Sequence, residues 1–120
     1  MPSESEGLRV LVMGYRQGLC MALEEMGIGY ALWSEKKPKS MRQCVGLHLG
    51  KFPRVDEDIF EILDGLQRFG PFSHVIAGSE ASVYPAAIAR RRLQARKSTK
   101  TLALRCNDKL SMKTWLRDHD

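Results

Sequence analysis

The chain has 120 residues, a net charge of +5 from 19 basic and 14 acidic residues, and a hydrophobic content of 43%. That length allows one domain with a single core, and no apolar run approaches the roughly 18 residues that a membrane span needs. Residues 1–7 carry Glu4 and Glu6 where a secretory signal needs basic and apolar residues. We therefore expect a disordered N-terminal tail, no membrane partner and a cytoplasmic location.

The cysteines and histidines show no metal-binding pattern. The three cysteines lie far apart, without a CxxC spacing: Cys20, Cys44 and Cys106. We predict three reduced thiols and no zinc site. The three histidines are equally scattered: His48, His74 and His119. Each is expected on a strand edge or at the surface, so we predict that the chain alone holds no metal.

The first part of the chain predicts a βαβ unit. Residues 8–13 form a short run of mostly branched apolar residues that meets Gly14, the pattern of a buried parallel strand that ends in a tight turn. A helix with an apolar face follows and stops at Gly27. Residues 28–33 predict the second strand, and the crossover should be right-handed.

The next elements alternate between helix and strand. Residues 34–43 are polar and predict a surface loop, and the alternation of Val45, Leu47 and Leu49 predicts a third, partly exposed strand. Apolar spacing from Asp56, with three acidic residues at the positive end of the dipole, predicts a helix that stops before residues 70 and 71.

Residues 72–78 predict a fourth strand that breaks at glycine, as the first one does. A third helix should follow, with Ser82 as its cap and Pro85 tolerated in its first turn. Its apolar side is expected to use four residues: Val83, Ala86, Ala87 and Ile88.

The last part of the chain predicts a fifth short strand at residues 101–104 and a final helix capped by Asn107 or Asp108. Trp115 on that helix should be solvent-accessible or covered by a neighbouring molecule, and a homodimer is one way to cover it. Together the elements predict an α/β fold: a Rossmann-like three-layer domain with a mostly parallel sheet of four to five strands.

A basic segment lies late in the chain, where seven basic residues within sixteen are not interrupted by an acidic one: Arg90, Arg91, Arg92, Arg96, Lys97, Lys100 and Arg105. A solvated helix end with a basic loop explains this segment, and a phosphate-bearing ligand or an acidic partner is the alternative. No aromatic residues are interleaved with it, so nothing supports base stacking and we do not expect nucleic-acid binding.

Two turns are candidates for ligand contact, because ligands of doubly wound sheets bind beyond the carboxyl ends of the strands. Residues 14–18 could bring backbone N–H groups close to an anion, but their GxxxG spacing lacks the central glycine of the dinucleotide fingerprint. Residues 78–80 place Ser79 and Glu80 at the other strand end. We expect both turns on one rim. Glu35 lies about where a Rossmann protein places its ribose-binding acid, although a solvated charged loop also explains it.

Two motifs resemble the ATP-grasp superfamily: GSEASV at residues 78–83 and NDKLSMK at residues 107–113. In that family the N-terminal domain has a Rossmann-like fold whose fourth strand runs into a G-x-E-x-x-V turn and an alanine-rich helix. A D-K-x-x-M/T-K helix then opens the connection to the nucleotide-binding domains.

The resemblance implies a fold, a function and a set of contacts. Residues 8–106 would be the pre-ATP-grasp domain of an ATP-dependent carboxylate–amine ligase, and the helix at residues 107–120 would lead toward the remaining ATP-grasp domains, its partner in the parent chain. A small carboxylate or amine substrate would contact five residues: Gly14, Tyr15, Arg16, Gly18 and Glu80. Lys109 would reach the ATP phosphates in the complete enzyme.

ATP and Mg²⁺ are the cofactors of such ligases, and the subdomains that hold them are not within these 120 residues. The resemblance therefore implies a chain that alone binds no cofactor, has no catalytic residue and does not form the amide or peptide-like bond by itself. The residues also leave open a second function, a free-standing Rossmann-like binding module for a nucleotide or another phosphate-bearing ligand.

Overall fold

The computed structural model describes residues 7–38, 42–95, 97 and 102 of the chain. Within these residues lie four strands, three α-helices and two short 3₁₀ turns. In chain order they are β1 (Arg9–Met13), α1 (Gln17–Glu25), β2 (Gly29–Ser34), β3 (Cys44–Leu49), α2 (Asp56–Leu66), a 3₁₀ turn (Gln67–Phe69), β4 (His74–Ala77), a second 3₁₀ turn (Glu80–Ser82) and α3 (Val83–Arg92). The sequence predicts this order of strands and helices as far as α3.

The four strands form one parallel sheet with the order β3-β2-β1-β4. The chain adds β2 and then β3 on one side of β1, and it returns to place β4 on the other side. The direction of strand addition therefore reverses between β1 and β4. The predicted α/β fold is confirmed, and the sheet is parallel throughout its described strands.

The central strand β1 is covered on both faces. Val10 and Val12 pack into a cluster with residues of α1, whereas Leu11 and Met13 pack into a second cluster with residues of α2 and α3. Successive residues of a strand point to opposite faces, so a strand between two helical layers must be apolar at every position. This is why residues 10–13 lack the polar alternation of a half-exposed strand, and the domain has the predicted three layers.

The edge strand β3 is the least buried of the four strands, as its alternating sequence predicts. Val45 is exposed, and Gly46 lies against the Phe69 ring so closely that a Cβ there would overlap it. The pairing with β2 shifts by one residue between Tyr30 and Ala31. An irregularity of this kind locally increases the twist of an edge.

The third helix buries Ala86 and Ile88 as predicted, but not the other two residues expected on its apolar side. Its buried residues are Pro85, Ala86, Ile88 and Ala89. Val83 and Ala87, both expected inside, are exposed. The helix is entered through the 3₁₀ turn at Glu80–Ser82, and this tighter turn sets the helical phase that a simple apolar count does not capture.

Two smaller predictions are refined by the structure. His74 lies at the start of the edge strand β4, one of the two places expected for it, but it is buried: it is 1% exposed, and its Nδ1 lies 2.8 Å from Ser73 Oγ. The neighbouring hydroxyl gives the buried ring a hydrogen-bond partner. Leu102 is helical and buried, so the fifth strand predicted there is wrong at that residue. Residue 101, residues 103–120 and residues 1–6 lie outside the described residues.

The described part of the chain contains no helix with both the length and the apolar character that a membrane span requires. Cys20 is buried, Cys44 is half-buried and both are free thiols, as predicted. Cys106 lies outside the described residues.

Candidate functional site

The two glycine turns lie side by side at the carboxyl ends of β1 and β4. The Gly14 N–H donates to the Trp33 carbonyl at 2.8 Å, and the Gly78 N–H donates to the Met13 carbonyl at 2.8 Å. Each glycine thus extends the ladder of the sheet by one bond. Because β1 and β4 are adjacent parallel strands, both turns share one rim at the point where strand order reverses, as expected.

Both glycines are needed for a close approach between the two turns. Gly14 has φ +90°, and a Cβ there would overlap Ser79 Oγ. At Gly78 a Cβ would overlap the Gly14 carbonyl oxygen. Only a residue without a side chain lets these backbones touch.

The hydroxyls of the second turn are used within the turn. Ser79 N donates to Ser82 Oγ at 3.2 Å, Ser82 Oγ donates to the Ser79 carbonyl at 2.7 Å, and the two hydroxyl oxygens lie 3.1 Å apart. Ser82 is fully buried and makes no side-chain cap for α3. The cap predicted there is therefore corrected: the Ser82 side chain closes the preceding turn.

A cleft of about 280 Å³ opens on this rim beside the two turns. It is lined by the ends of β1, β2 and β4 and by the loop that follows β3. The lining residues are Gly14, Tyr15, Ser34, Glu35, Lys36, Phe52, Ser79 and Ala81. We call it the rim cleft.

The residues predicted to contact substrate divide into two groups. Gly14 and Tyr15 line the rim cleft. Arg16 occupies the N-cap position of α1, Gly18 lies in its first turn, and Glu80 begins the second 3₁₀ turn with an exposed side chain. These three do not line the cleft, although all lie close in sequence to residues that do. Lys109 lies outside the described residues.

The sequence indicates Glu35 either as a ribose-binding acid or as part of a solvated charged loop. It predicts no site role for four of the lining residues: Ser34, Lys36, Phe52 and Ala81. A usable signal existed: Phe52 closely follows the end of β3, and the carboxyl ends of all parallel strands meet on the same rim.

The loop after β2 is held in place by a local side-chain turn. Ser34 Oγ accepts from Lys36 N at 3.2 Å and donates to the Lys36 carbonyl. This fixes the backbone on both sides of Glu35, since such serine turns replace a backbone turn. Within the described residues, neither the Glu35 nor the Lys36 side chain makes an ion pair. The cleft therefore presents a carboxylate and an ammonium side by side.

A larger cleft of about 560 Å³ lies elsewhere, against α1, and the Glu24 carboxylate in its lining is used by the fold. Glu24 Oε2 accepts a hydrogen bond from Tyr30 Oη at 2.9 Å. It also accepts from the backbone N–H groups of the two residues before β3, at 2.9 and 3.4 Å. Burial raises the pKa of the Cys20 thiol to about 11, so this group stays protonated at neutral pH. Leu102 packs on the same face of the sheet. We therefore assign that cleft a structural role.

The fold and the rim define a Rossmann-like α/β domain with a small cleft at its topological switch point. Within the described residues, no group of three histidine, cysteine or acidic side chains could hold a metal ion. Neither protein-family models nor curated proteins give a match to this chain.

Proposed function

We propose that this chain is the N-terminal, substrate-side domain of an ATP-dependent carboxylate–amine ligase, and that it is not catalytically competent alone. The observation that carries the proposal is the direct contact between the two turns. The GSEASV turn, one of the two motifs that resemble the ATP-grasp superfamily, packs on Gly14 at the switch point of the sheet.

The helix after that turn also supports the proposal. Ala86 and Ala89 of α3 are both fully buried. Small side chains at this spacing let a helix approach a sheet closely, and an alanine-rich helix follows the G-x-E-x-x-V turn in the family that the sequence resembles. The turn and the helix thus occur here in the order and packing that such a domain needs.

The rim would contribute binding and orientation rather than chemistry. The Ser79 and Ser82 hydroxyls are used within their own turn, and the Ser34 hydroxyl bonds to the Lys36 backbone. The lining of the rim cleft includes neither a histidine nor a cysteine. Such ligases phosphorylate a carboxylate with ATP, and an amine then attacks the acyl phosphate while Mg²⁺ neutralises charge. The described residues include no group of three histidine, cysteine or acidic side chains that could hold a metal ion. The proposal assigns ATP and Mg²⁺ to the remaining ATP-grasp domains and expects Lys109 to contact the phosphates in the complete enzyme.

The test is made on the complete product of the reading frame that encodes these residues. The proposal expects the frame to continue past Asp120 into nucleotide-binding domains, and its product to release ADP only when a carboxylate and an amine are both present. A stop codon shortly after Asp120, or ADP release that is independent of both substrates, would overturn the proposal.

A second candidate function, a free-standing binding module for a nucleotide, is favoured by one observation. Glu35 lines the same cleft as Gly14, as a ribose-binding acid would. Calorimetry of the 120-residue chain with ATP and Mg²⁺ separates the two functions. The ligase proposal expects little or no heat of binding, whereas tight binding that is lost in a Gly14 variant and kept in a Lys109 variant supports the module.

A further inference from the structure

The rim cleft contains two opposite charges with no partner among the described residues. Glu35 and Lys36 both line it, both are exposed, and neither forms a side-chain hydrogen bond or ion pair within the described part of the chain. A ligand with a single charge would be attracted by one of these groups and repelled by the other. A ligand that carries both charges can satisfy both groups.

The two charges are presented on a fixed backbone. Ser34 is 2% exposed, and its hydroxyl bonds to both the N–H and the carbonyl of Lys36. The Ser34 carbonyl also accepts from Gly50 N at 2.9 Å, which ties this corner to the end of β3. A loop held at both ends loses less entropy when it binds, so the pair is pre-organised.

The wall beside these charges is apolar. Phe52 is half-buried, and its ring packs on Trp33 with centroids 4.7 Å apart. Trp33 is itself fixed, because its Nε1 donates to the Gly50 carbonyl at 3.0 Å. An aromatic wall held in this way is suited to contact with an apolar or aromatic side chain.

The size of the cleft selects among ligands. Its volume of about 280 Å³ lies just below the range of roughly 300–1,000 Å³ found for sites of drug-sized ligands. A molecule of amino-acid size fits this volume, whereas a dinucleotide would extend beyond it.

We infer that the rim cleft binds a free α-amino acid with an apolar side chain. Glu35 accepts hydrogen bonds from its ammonium group, Lys36 pairs with its carboxylate, and Phe52 contacts its side chain. The inference rests on the proposed function in one respect, since it names the substrate class that the substrate-side domain would hold. The binding itself can be measured without ATP.

The experiment is a titration of the ¹⁵N-labelled 120-residue chain with L-phenylalanine, followed by amide chemical shifts. We expect saturable binding with a dissociation constant on the order of 1 mM, and shifts at Gly14, Glu35, Lys36 and Phe52. Two analogues each lack one charge: 3-phenylpropanoate has no ammonium, and 2-phenylethylamine has no carboxylate. Each should bind at least about tenfold more weakly, because one charged partner is left unpaired.

Matched variants test the two charges. Glu35→Gln and Lys36→Gln should each weaken phenylalanine binding about tenfold, whereas the exposed controls Glu61→Gln and Lys97→Gln should leave it unchanged. The inference is overturned by the absence of saturable shifts up to about 20 mM ligand, by equal binding of the analogues, or by unchanged binding in both cleft variants.

The outcome also separates this inference from the ligase proposal. ADP release by the complete protein that needs an acid and an amine, together with no phenylalanine binding at the cleft, would remove the inference and keep the ligase. Binding at the cleft by a chain whose reading frame ends near Asp120 would keep the inference and remove the ligase proposal.

Discussion

The two rim glycines, Gly14 and Gly78, cannot be replaced by a larger residue without overlap, whereas a glycine in α2 has free space around it. Gly78 leaves no room for a Cβ, because the Gly14 carbonyl oxygen already occupies that position. Gly65 lies inside α2 with nothing within 4 Å of the place a Cβ would take. Replacement by alanine should therefore lower the free energy of unfolding at Gly78 and raise it at Gly65.

Gly78→Ala is expected to lower the free energy of unfolding by about 1–3 kcal/mol, since the new methyl group must push two turns apart. Gly65→Ala should raise it by about 0.5–1 kcal/mol, because alanine favours a helix interior. Urea denaturation of both variants measures the difference. A Gly78→Ala protein as stable as the native chain would show that the two turns do not pack as described.

Because Cys20 is buried, the stability of the fold should depend on pH in the alkaline range. Burial raises the pKa of this thiol to about 11 in the folded chain, from an ordinary value of 9.0. A group whose folded pKa is raised stabilises the fold fully below its unfolded pKa and ceases to do so as the pH rises through the folded value. The affected window is therefore between about pH 9 and 11.

In that window the free energy of unfolding of the native chain should fall by up to about 1.4 kcal/mol per pH unit more steeply than that of Cys20→Ala. Chemical denaturation at several pH values gives both slopes. The two proteins will differ in overall stability, so only the slopes are compared. Parallel curves would mean that the thiol ionises as readily in the folded chain as in the unfolded one.

At the scale of elements, the basic end of α3 is partly structural. Arg92 donates to both carboxylate oxygens of Asp64 in α2, at 2.9 Å each, and its guanidinium lies 4.3 Å from the Phe60 ring centroid. Arg90 Nε donates to the Val75 carbonyl at 3.1 Å. Two of the three helix arginines therefore tie α3 to the fold, where the sequence alone indicated a solvated helix end or, as the alternative, contact with a phosphate-bearing ligand or an acidic partner.

Because Arg92 bonds to the Asp64 carboxylate, the stability of the fold should depend on pH in the acid range. The hydrogen bond from Arg92 lowers the pKa of Asp64 below its ordinary value. A lowered folded pKa gives stability that is present above the unfolded pKa and lost as the pH falls through the folded one. Arg92→Gln should lower the urea midpoint at neutral pH, and the loss should shrink in strong acid.

The neighbouring Arg91 provides the control. It is exposed and its side chain makes no hydrogen bond within the described residues, so Arg91→Gln removes the same charge without removing the contact with Asp64. Its urea midpoint should stay close to that of the native chain. Equal losses in the two variants would assign the effect to net charge rather than to the contact with Asp64.

The elements themselves could largely be predicted from the sequence, because the buried strands are short apolar runs, β3 alternates and the helices have apolar spacing. What failed was local geometry. The phase of α3 depends on the 3₁₀ turn before it, and the role of Ser82 depends on its distance from Ser79. Neither can be derived from residue types alone.

At the scale of the whole molecule, strand order decides which residues form a site. The sequence indicated the two turns and the candidate acid Glu35, because strand ends are visible in the pattern. It indicated Phe52 only through the position of this residue shortly after the end of β3, and the side of β1 on which β3 lies could not be predicted. The order β3-β2-β1-β4 brings the ends of all four strands to one rim.

We propose that this rim belongs to an enzyme that activates a carboxylate by phosphorylation. This proposal is tested most directly by giving the complete product of the reading frame ATP, Mg²⁺ and amino acids labelled with ¹⁸O in the carboxyl group. The carboxylate oxygen that attacks the γ-phosphorus leaves with the phosphate when the amine attacks the carbonyl carbon. We predict ADP and phosphate that carries ¹⁸O; unlabelled phosphate, or AMP and pyrophosphate, would contradict the account.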